Sequence, residues 1–126
     1  METDMDKAIA TAQKVFGPKW KPGRPSPDSP EVMAEFSRIC MEHCFADSWS
    51  RPGLDLKTKS LVTLTVLTSI GATEELKLHV KAALNLGHSK EDIVELLIHL
   101  VAYCGVPRAV HAMRMARQAF AEADKG

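Results

Sequence analysis

Apolar side chains recur every three or four residues through most of this chain, which is the period of an α-helix, and no run alternates as a half-buried strand would. The pattern predicts a first amphipathic helix from about Asp6 to Phe16, stopped by Gly17-Pro18. Prolines then recur from Pro18 to Pro30 and forbid a continuous helix. That stretch is short for a linker and carries Trp20, so it is expected to lie as an ordered arm over the surface. A second helix is expected from about Pro30 to Ala46, with Ser29 as candidate N-cap and Val32, Phe36, Ile39, Cys40 and Cys44 along one side.

After the loop Trp49-Ser50-Arg51-Pro52-Gly53-Leu54, Asp55 is placed to cap a third helix, Leu56 to Ile70. This helix is apolar around most of its circumference, which predicts a place at the centre of a core. A fourth runs from about Thr73 to Leu86, with Glu74 and Glu75 in its first turn, and stops at Gly87. Ser89 caps a fifth that reaches Cys104, and Pro107 opens a sixth that runs to about Ala123. The expected fold class is therefore all-α: a single domain over residues 1–126, a bundle of about six helices, with the arm at 18–30. So many apolar stripes in so short a chain leave surplus apolar surface, which favours a homo-oligomer.

Charge and composition narrow the partners. The 16 Lys+Arg balance 16 Asp+Glu, so no basic surplus draws the chain to nucleic acid or to an anionic membrane. The start, Met1 to Asp6, is acidic and lacks the features of a signal peptide. The longest apolar stretch, Leu61 to Ala72, is interrupted by Thr63, Thr65, Thr68 and Ser69, whereas a membrane span needs about 20 apolar residues. Three cysteines cannot all pair within one chain and fit a reducing compartment. The expected location is the cytoplasm.

Among residues that can do chemistry, Glu75 and His79 stand out. They lie one turn apart on the helix face that also carries Leu76, Ala82, Ala83 and Leu86, while Glu74, Lys77, Lys81 and Asn85 point the other way. Inward charge is costly unless it is paired or used. The pair is either a structural contact at a core edge or subunit boundary, or an acid–base couple with pKa values near neutral, and spacing leaves both open. His43 shares the apolar face of Phe36, Ile39 and Cys40, as a hydrogen-bonded core histidine or a pocket wall. Arg51, in the loop after Trp49, either holds a substrate carboxylate or ties the loop to helix carbonyls. His99, beside Glu95 and Tyr103, is expected on a solvent or subunit face, and His88 and His111 have no comparable setting. Cys40, Cys44, His43 and His79 are metal-ligand types, but Cys40 and Cys44 do not have a structural zinc spacing and no second ligand pair accompanies them. No metal is expected. No phosphate loop, nucleophile elbow or Cys-x-x-Cys is present, and Cys104 reads as a small core residue.

Four segments taken together, Trp49-Ser50-Arg51-Pro52-Gly53-Leu54, Ser60-Leu61-Val62-Thr63-Leu64, Glu75-Leu76-Lys77-Leu78-His79 and Tyr103-Cys104-Gly105-Val106-Pro107, resemble the 4-carboxymuconolactone decarboxylase family in order and spacing. The resemblance implies an alkylhydroperoxidase-like helical fold and a cofactor-free homo-oligomer, a hexamer or trimer. It implies a small acidic substrate, with 4-carboxymuconolactone converted to 3-oxoadipate enol-lactone and carbon dioxide in aromatic catabolism. On this reading His79 carries the acid–base role with Glu75 orienting it, Arg51 holds a substrate carboxylate, and Trp49, His43 and Tyr103 line the pocket. Alkylhydroperoxidases of the same superfamily use Cys-x-x-Cys followed by His. In that register His79 matches their His, while Ala72 and Glu75 stand at the cysteine positions and Ser60 at the proton-relay Glu, so no dithiol mechanism is expected. The arm departs from the namesake enzymes, which opens the way to a different acid. The alternatives are a related decarboxylase or isomerase on another carbonyl-activated acid, or a non-catalytic helical oligomer that binds a small ligand.

Overall fold

The computed structural model describes residues 1–24 and 26–126; position 25, inside the expected arm, lies outside the described residues. Among the described residues there are six α-helices and no strand. They are α1 (Asp4–Phe16), α2 (Val32–Met41), α3 (Leu56–Ile70), α4 (Thr73–Asn85), α5 (Lys90–Cys104) and α6 (Val106–Lys125). The chain groups into two compact units, Met1–Leu54 and Asp55–Gly126. No helix among the described residues is long and apolar enough to cross a membrane.

In the first unit, α1 begins two residues ahead of the expected Asp6 because Thr3 and Asp6 form a reciprocal cap. The Asp6 N–H donates to Thr3 Oγ1 at 3.0 Å and the Thr3 N–H donates to the Asp6 carboxylate at 3.1 Å. α1 buries Ala8, Thr11, Ala12 and Val15. Helix α2 runs without a break into a π-helical segment, Glu42–Trp49, so helix continues past the expected end at Ala46. The wider turn is visible where the Ser50 N–H donates to the Phe45 carbonyl at 3.1 Å, five residues back. Phe45, Ala46 and Trp49 of this segment are buried.

Two expectations for this stretch fail. Ser29 does not cap α2: Glu31 holds that position, without a side-chain bond. The stripe of Val32, Phe36 and Ile39 does not face the core; α2 buries no residue, and Phe36 is 70% exposed. Phe36 and Phe45 are nine residues apart, about half a turn out of phase, so burying the second turns the first outward.

In the second unit, Leu64 of α3, Leu76 and Val80 of α4, Ile93 and Leu97 of α5 and Ala112 and Ala116 of α6 form one core. Fully burying a Leu or Ile side chain contributes about 2–3 kcal/mol. Helix α3 is capped by Asp55, whose carboxylate accepts from the Thr58 N–H at 2.7 Å. It is not the central helix that its composition predicts. Only Ser60, Leu64 and Thr68 are buried, while Val62, Val66 and Ile70 lie at 54%, 52% and 61% exposure on the opposite side. Its neighbours α4, α5 and α6 cover one side alone. α5 carries a second reciprocal cap at Ser89 and Asp92, as expected.

Gly71 joins α3 to α4 in the left-handed conformation, φ +69°, and the Arg108 guanidinium lies where a Cβ would be. The guanidinium can swing aside, but the backbone cannot change φ without moving a helix. Gly71→Ala is therefore expected to destabilise by about 1 kcal/mol, while Gly53→Ala, at an open position, changes stability by less than about 0.5 kcal/mol. Urea midpoints for the two variants give the comparison, and equal midpoints would remove the strain account.

Candidate functional site

Helix α4 sets the geometry. Leu76, His79, Val80 and Ala83 follow one another at helical spacing on its buried face. His79 is consequently 7% exposed, packed among side chains that anchor α4 to its unit. Glu75, one turn earlier, does not turn inward with it: its side chain is 60% exposed. The two meet at the surface edge, with His79 Nε2 3.8 Å from Glu75 Oε2, beyond direct hydrogen-bond length.

Two effects oppose each other on the imidazole. Burial disfavours its charged form, and a nearby carboxylate favours it. Burial wins, because the carboxylate sits largely in water where its field is screened. The His79 pKa is pushed from its ordinary 6.5 down to about 4 by desolvation. Of the two readings that the spacing left open, the near-neutral pKa is not found: the imidazole is uncharged at pH 7.

The other candidates divide between the units. In the first, Trp49 is 6% exposed and its ring stacks on Phe45 with centroids 6.1 Å apart. Phe45 in turn meets Phe16 edge-on at 5.6 Å, so Trp49 ends a row of packed aromatics. Arg51 is exposed just after the π-helical segment, its backbone N–H donating to the Ser48 carbonyl at 3.1 Å. Segments of π-helix occur often at functional sites, and this one ends at Trp49, two residues before Arg51. His43 is exposed, which corrects the expectation of a buried histidine. Its apolar companions Phe36 and Ile39 are themselves exposed.

In the second unit, Tyr103 is 78% exposed and its ring lies 5.2 Å from that of His99 on the outer side of α5. The structure thus brings Glu75 to His79, and Tyr103 to His99 rather than to His79. His88 and His111 have structural settings that spacing did not suggest. His88 Nε2 donates to the Lys57 carbonyl at 3.0 Å, and His111 Nε2 lies 3.3 Å from Thr73 Oγ1. Ser60 is a polar group that the helix pattern passed over: it is fully buried and its hydroxyl has no hydrogen-bond partner among the described residues. Its position four residues before Leu64 was the available signal. Among the described residues no three His, Cys, Asp or Glu side chains converge as metal ligands.

Comparison with known proteins gives this arrangement a context. The model of the carboxymuconolactone decarboxylase family matches residues 34–118. A 4-carboxymuconolactone decarboxylase of Acinetobacter baylyi is 38% identical over 86 residues, 68% of this chain and 64% of the relative. A nitrosuccinic acid decarboxylase of Metarhizium robertsii is 37% identical over 89 residues, 70% of this chain and 62% of the relative. An uncharacterized 15.0 kDa protein of Paracoccus denitrificans is 33% identical over 87 residues, 68% of this chain and 65% of that protein. The matched stretch spans just under two thirds of each relative's length.

The imidazole's burial has a measurable consequence for stability. The unfolded chain takes up a proton at this histidine near pH 6.5, the folded chain only near pH 4. Between those values the unfolded state binds more protons, so stability is full above pH 6.5 and falls as the pH drops toward 4, by up to about 3 kcal/mol. Urea unfolding at pH 7.5 and pH 4.5 should show this loss, and His79→Asn should shrink it. An unchanged pH dependence in the variant would place its origin elsewhere.

Proposed function

Since the chain belongs to the carboxymuconolactone decarboxylase family, we propose that it is a cytoplasmic, cofactor-free decarboxylase of a small carboxylic acid, with 4-carboxymuconolactone as the first substrate to test. The observation that carries this is the family match across residues 34–118, which includes Arg51, Glu75, His79 and Tyr103. It runs from the first unit into the second, which also supports taking residues 1–126 as one domain with an alkylhydroperoxidase-like arrangement.

The substrate class follows from chemistry that two relatives' names share. In 4-carboxymuconolactone the electron pair left by carbon dioxide can pass through an alkene into the lactone carbonyl. In nitrosuccinic acid a nitro group can take the same role. The common requirement is an electron-accepting group conjugated to, or one bond from, the carbon that loses its carboxylate. Such a substrate supplies its own electron sink, so the reaction needs no metal or Schiff base from the protein. The protein must bind an anion, hold the developing enolate-type oxygen and return a proton to carbon.

His79 is assigned the hydrogen bond to the developing oxygen and the proton transfer, from a low-polarity wall that favours dispersed over localised charge. Glu75, at the rim, orients the imidazole. Arg51 is assigned a substrate carboxylate, and Trp49, His43 and Tyr103 the pocket wall. His43 and Tyr103 are exposed in the single chain, so their part in a pocket requires a covering surface, which a homo-oligomer, a trimer or hexamer, would supply. The relative named for nitrosuccinic acid favours a second reading of the substrate, in which another activated acid of aromatic or nitro-acid catabolism replaces the lactone.

A panel of such acids, followed by absorbance and carbon dioxide release, tests the activity; inertness toward all of them would leave a ligand-binding oligomer in its place. With a substrate in hand, His79→Asn is expected to lower turnover by roughly 10²-fold or more at near-native helicity, and Glu75→Gln by less. A His79→Asn protein that melts early but turns over normally would make the imidazole structural. Light scattering is expected to give a mass that is a multiple of 13.8 kDa, and an active monomer would refute the covering surface.

A further inference from the structure

The first unit contains a cavity of about 410 Å³ between the arm and the outward side of α2. Trp20, Met33 and Phe36 give it apolar walls, Ser37 and Cys40 a hydroxyl and a thiol, and Arg24 its one charge. No aspartate or glutamate is among the described residues that line it, and Arg24 has no ion-pair partner among the described residues. We infer that this groove is a binding site for a small carboxylate with a flat apolar body, its carboxylate on Arg24 and its body against Trp20, Met33 and Phe36.

The size falls in the range of small-molecule sites, and the lining has their usual composition: mostly apolar with a few polar groups that set orientation. Trp20, which forms one wall, is held in place. The Gln13 amide donates to the Trp20 carbonyl at 3.1 Å, the Trp20 N–H donates to the Gly17 carbonyl at 3.1 Å, and the Trp20 ring stacks on Phe16 with centroids 5.8 Å apart. Pro18 and Pro22 stiffen the backbone on either side of the indole. A guanidinium presents two parallel N–H groups to a carboxylate, which sets the charge and geometry of the ligand's head. Thioether and aromatic walls adapt to a planar body without loss of contact. Trp20 and Arg24 precede the family match that begins at residue 34, while Phe36, Ser37 and Cys40 lie within it. It stands independently of the decarboxylase reading.

The test is a titration of the ¹⁵N-labelled full chain with 3-phenylpropionate and, separately, with its uncharged amide, followed at the Trp20 indole N–H. The acid is expected to produce a saturable shift, and the amide to bind roughly tenfold more weakly for want of the charge-assisted pair. Arg24→Gln should bring the acid down to the level of the amide. Phe36→Ala should weaken both ligands alike. Both substituted residues are at the surface, and circular dichroism checks that each variant folds. The inference is overturned by the absence of saturation up to about 10 mM, by equal binding of acid and amide, or by an acid preference that survives Arg24→Gln. It is equally overturned if the Trp20 signal moves on protein dilution and the acid does not compete, since a second copy of the chain would then occupy the groove.

Discussion

Helices α4 and α6 pack against each other, and the second unit depends on that contact. Ala83 on α4 and Ala112, Ala116 and Ala119 on α6 are buried in their common core. Side chains this small let two helix axes approach toward the short end of the usual 8–10 Å, where any larger residue would force them apart. Packing against α6 leaves one side of α4 facing inward, and that side carries Leu76, Val80 and His79 together. His79 cannot turn to solvent by rotating the helix, because Leu76 and Val80 would leave the core with it. The burial of the imidazole, and hence its lowered pKa, is a consequence of how α4 is packed.

The same packing leaves apolar surface without cover in the single chain. Helix α3 is the clearest case. Its inner side holds Leu64 between two hydroxyl residues, Ser60 and Thr68, while its outer side is the aliphatic row Val62, Val66 and Ile70. Thr68 can be buried because its hydroxyl donates to the Leu64 carbonyl at 2.7 Å, within its own helix. The outer row has no comparable reason to be aliphatic in an isolated chain. α2 also turns Val32, Phe36 and Ile39 outward, but there Phe36 is a wall of the groove beside the arm, so α2 is not a second case. A chain of this size buries only part of its apolar surface by itself, and rows at helical spacing are suited to another surface rather than to water. That is the physical basis of the proposed homo-oligomer.

Helix positions were legible in the sequence because their ends are local chemistry. Asp55 at α3, Gly71 after it and the Ser89–Asp92 pair at α5 each act within one turn of the backbone. Which side of each helix faces inward was legible only where one side was unambiguous. On α4 the charged residues marked the solvent side, and the buried set followed. On α3 and α2 apolar residues occupy more than one side, and the choice belongs to neighbours distant in sequence. The π-helical segment was not legible either, since a shift from four-residue to five-residue bonding has no signature in apolar spacing. The candidate site inherits this division: His79 was placed correctly on a buried face, and Glu75 beside it was not, because a long side chain near a helix start can reach water that a ring four residues on cannot.

An imidazole with a pKa of about 4 is a poor proton donor at neutral pH, which bears directly on the proposed reaction. The substrate itself alters the balance. An acid with one or two carboxylates brings negative charge to a low-dielectric wall, and charge there favours the imidazolium far more strongly than the water-screened Glu75 does. On the proposed mechanism, the proton that returns to carbon after carbon dioxide leaves would be taken up with the substrate. Once carbon dioxide departs, the enolate-type charge is delocalised and spread over a larger group, and the imidazolium faces less concentrated charge than before. It becomes the stronger acid at the step where a proton is needed. A histidine kept neutral by burial therefore suits the proposed chemistry better than one already charged: it costs no buried charge in the free protein, and on this mechanism it would be protonated by the substrate's own negative charge.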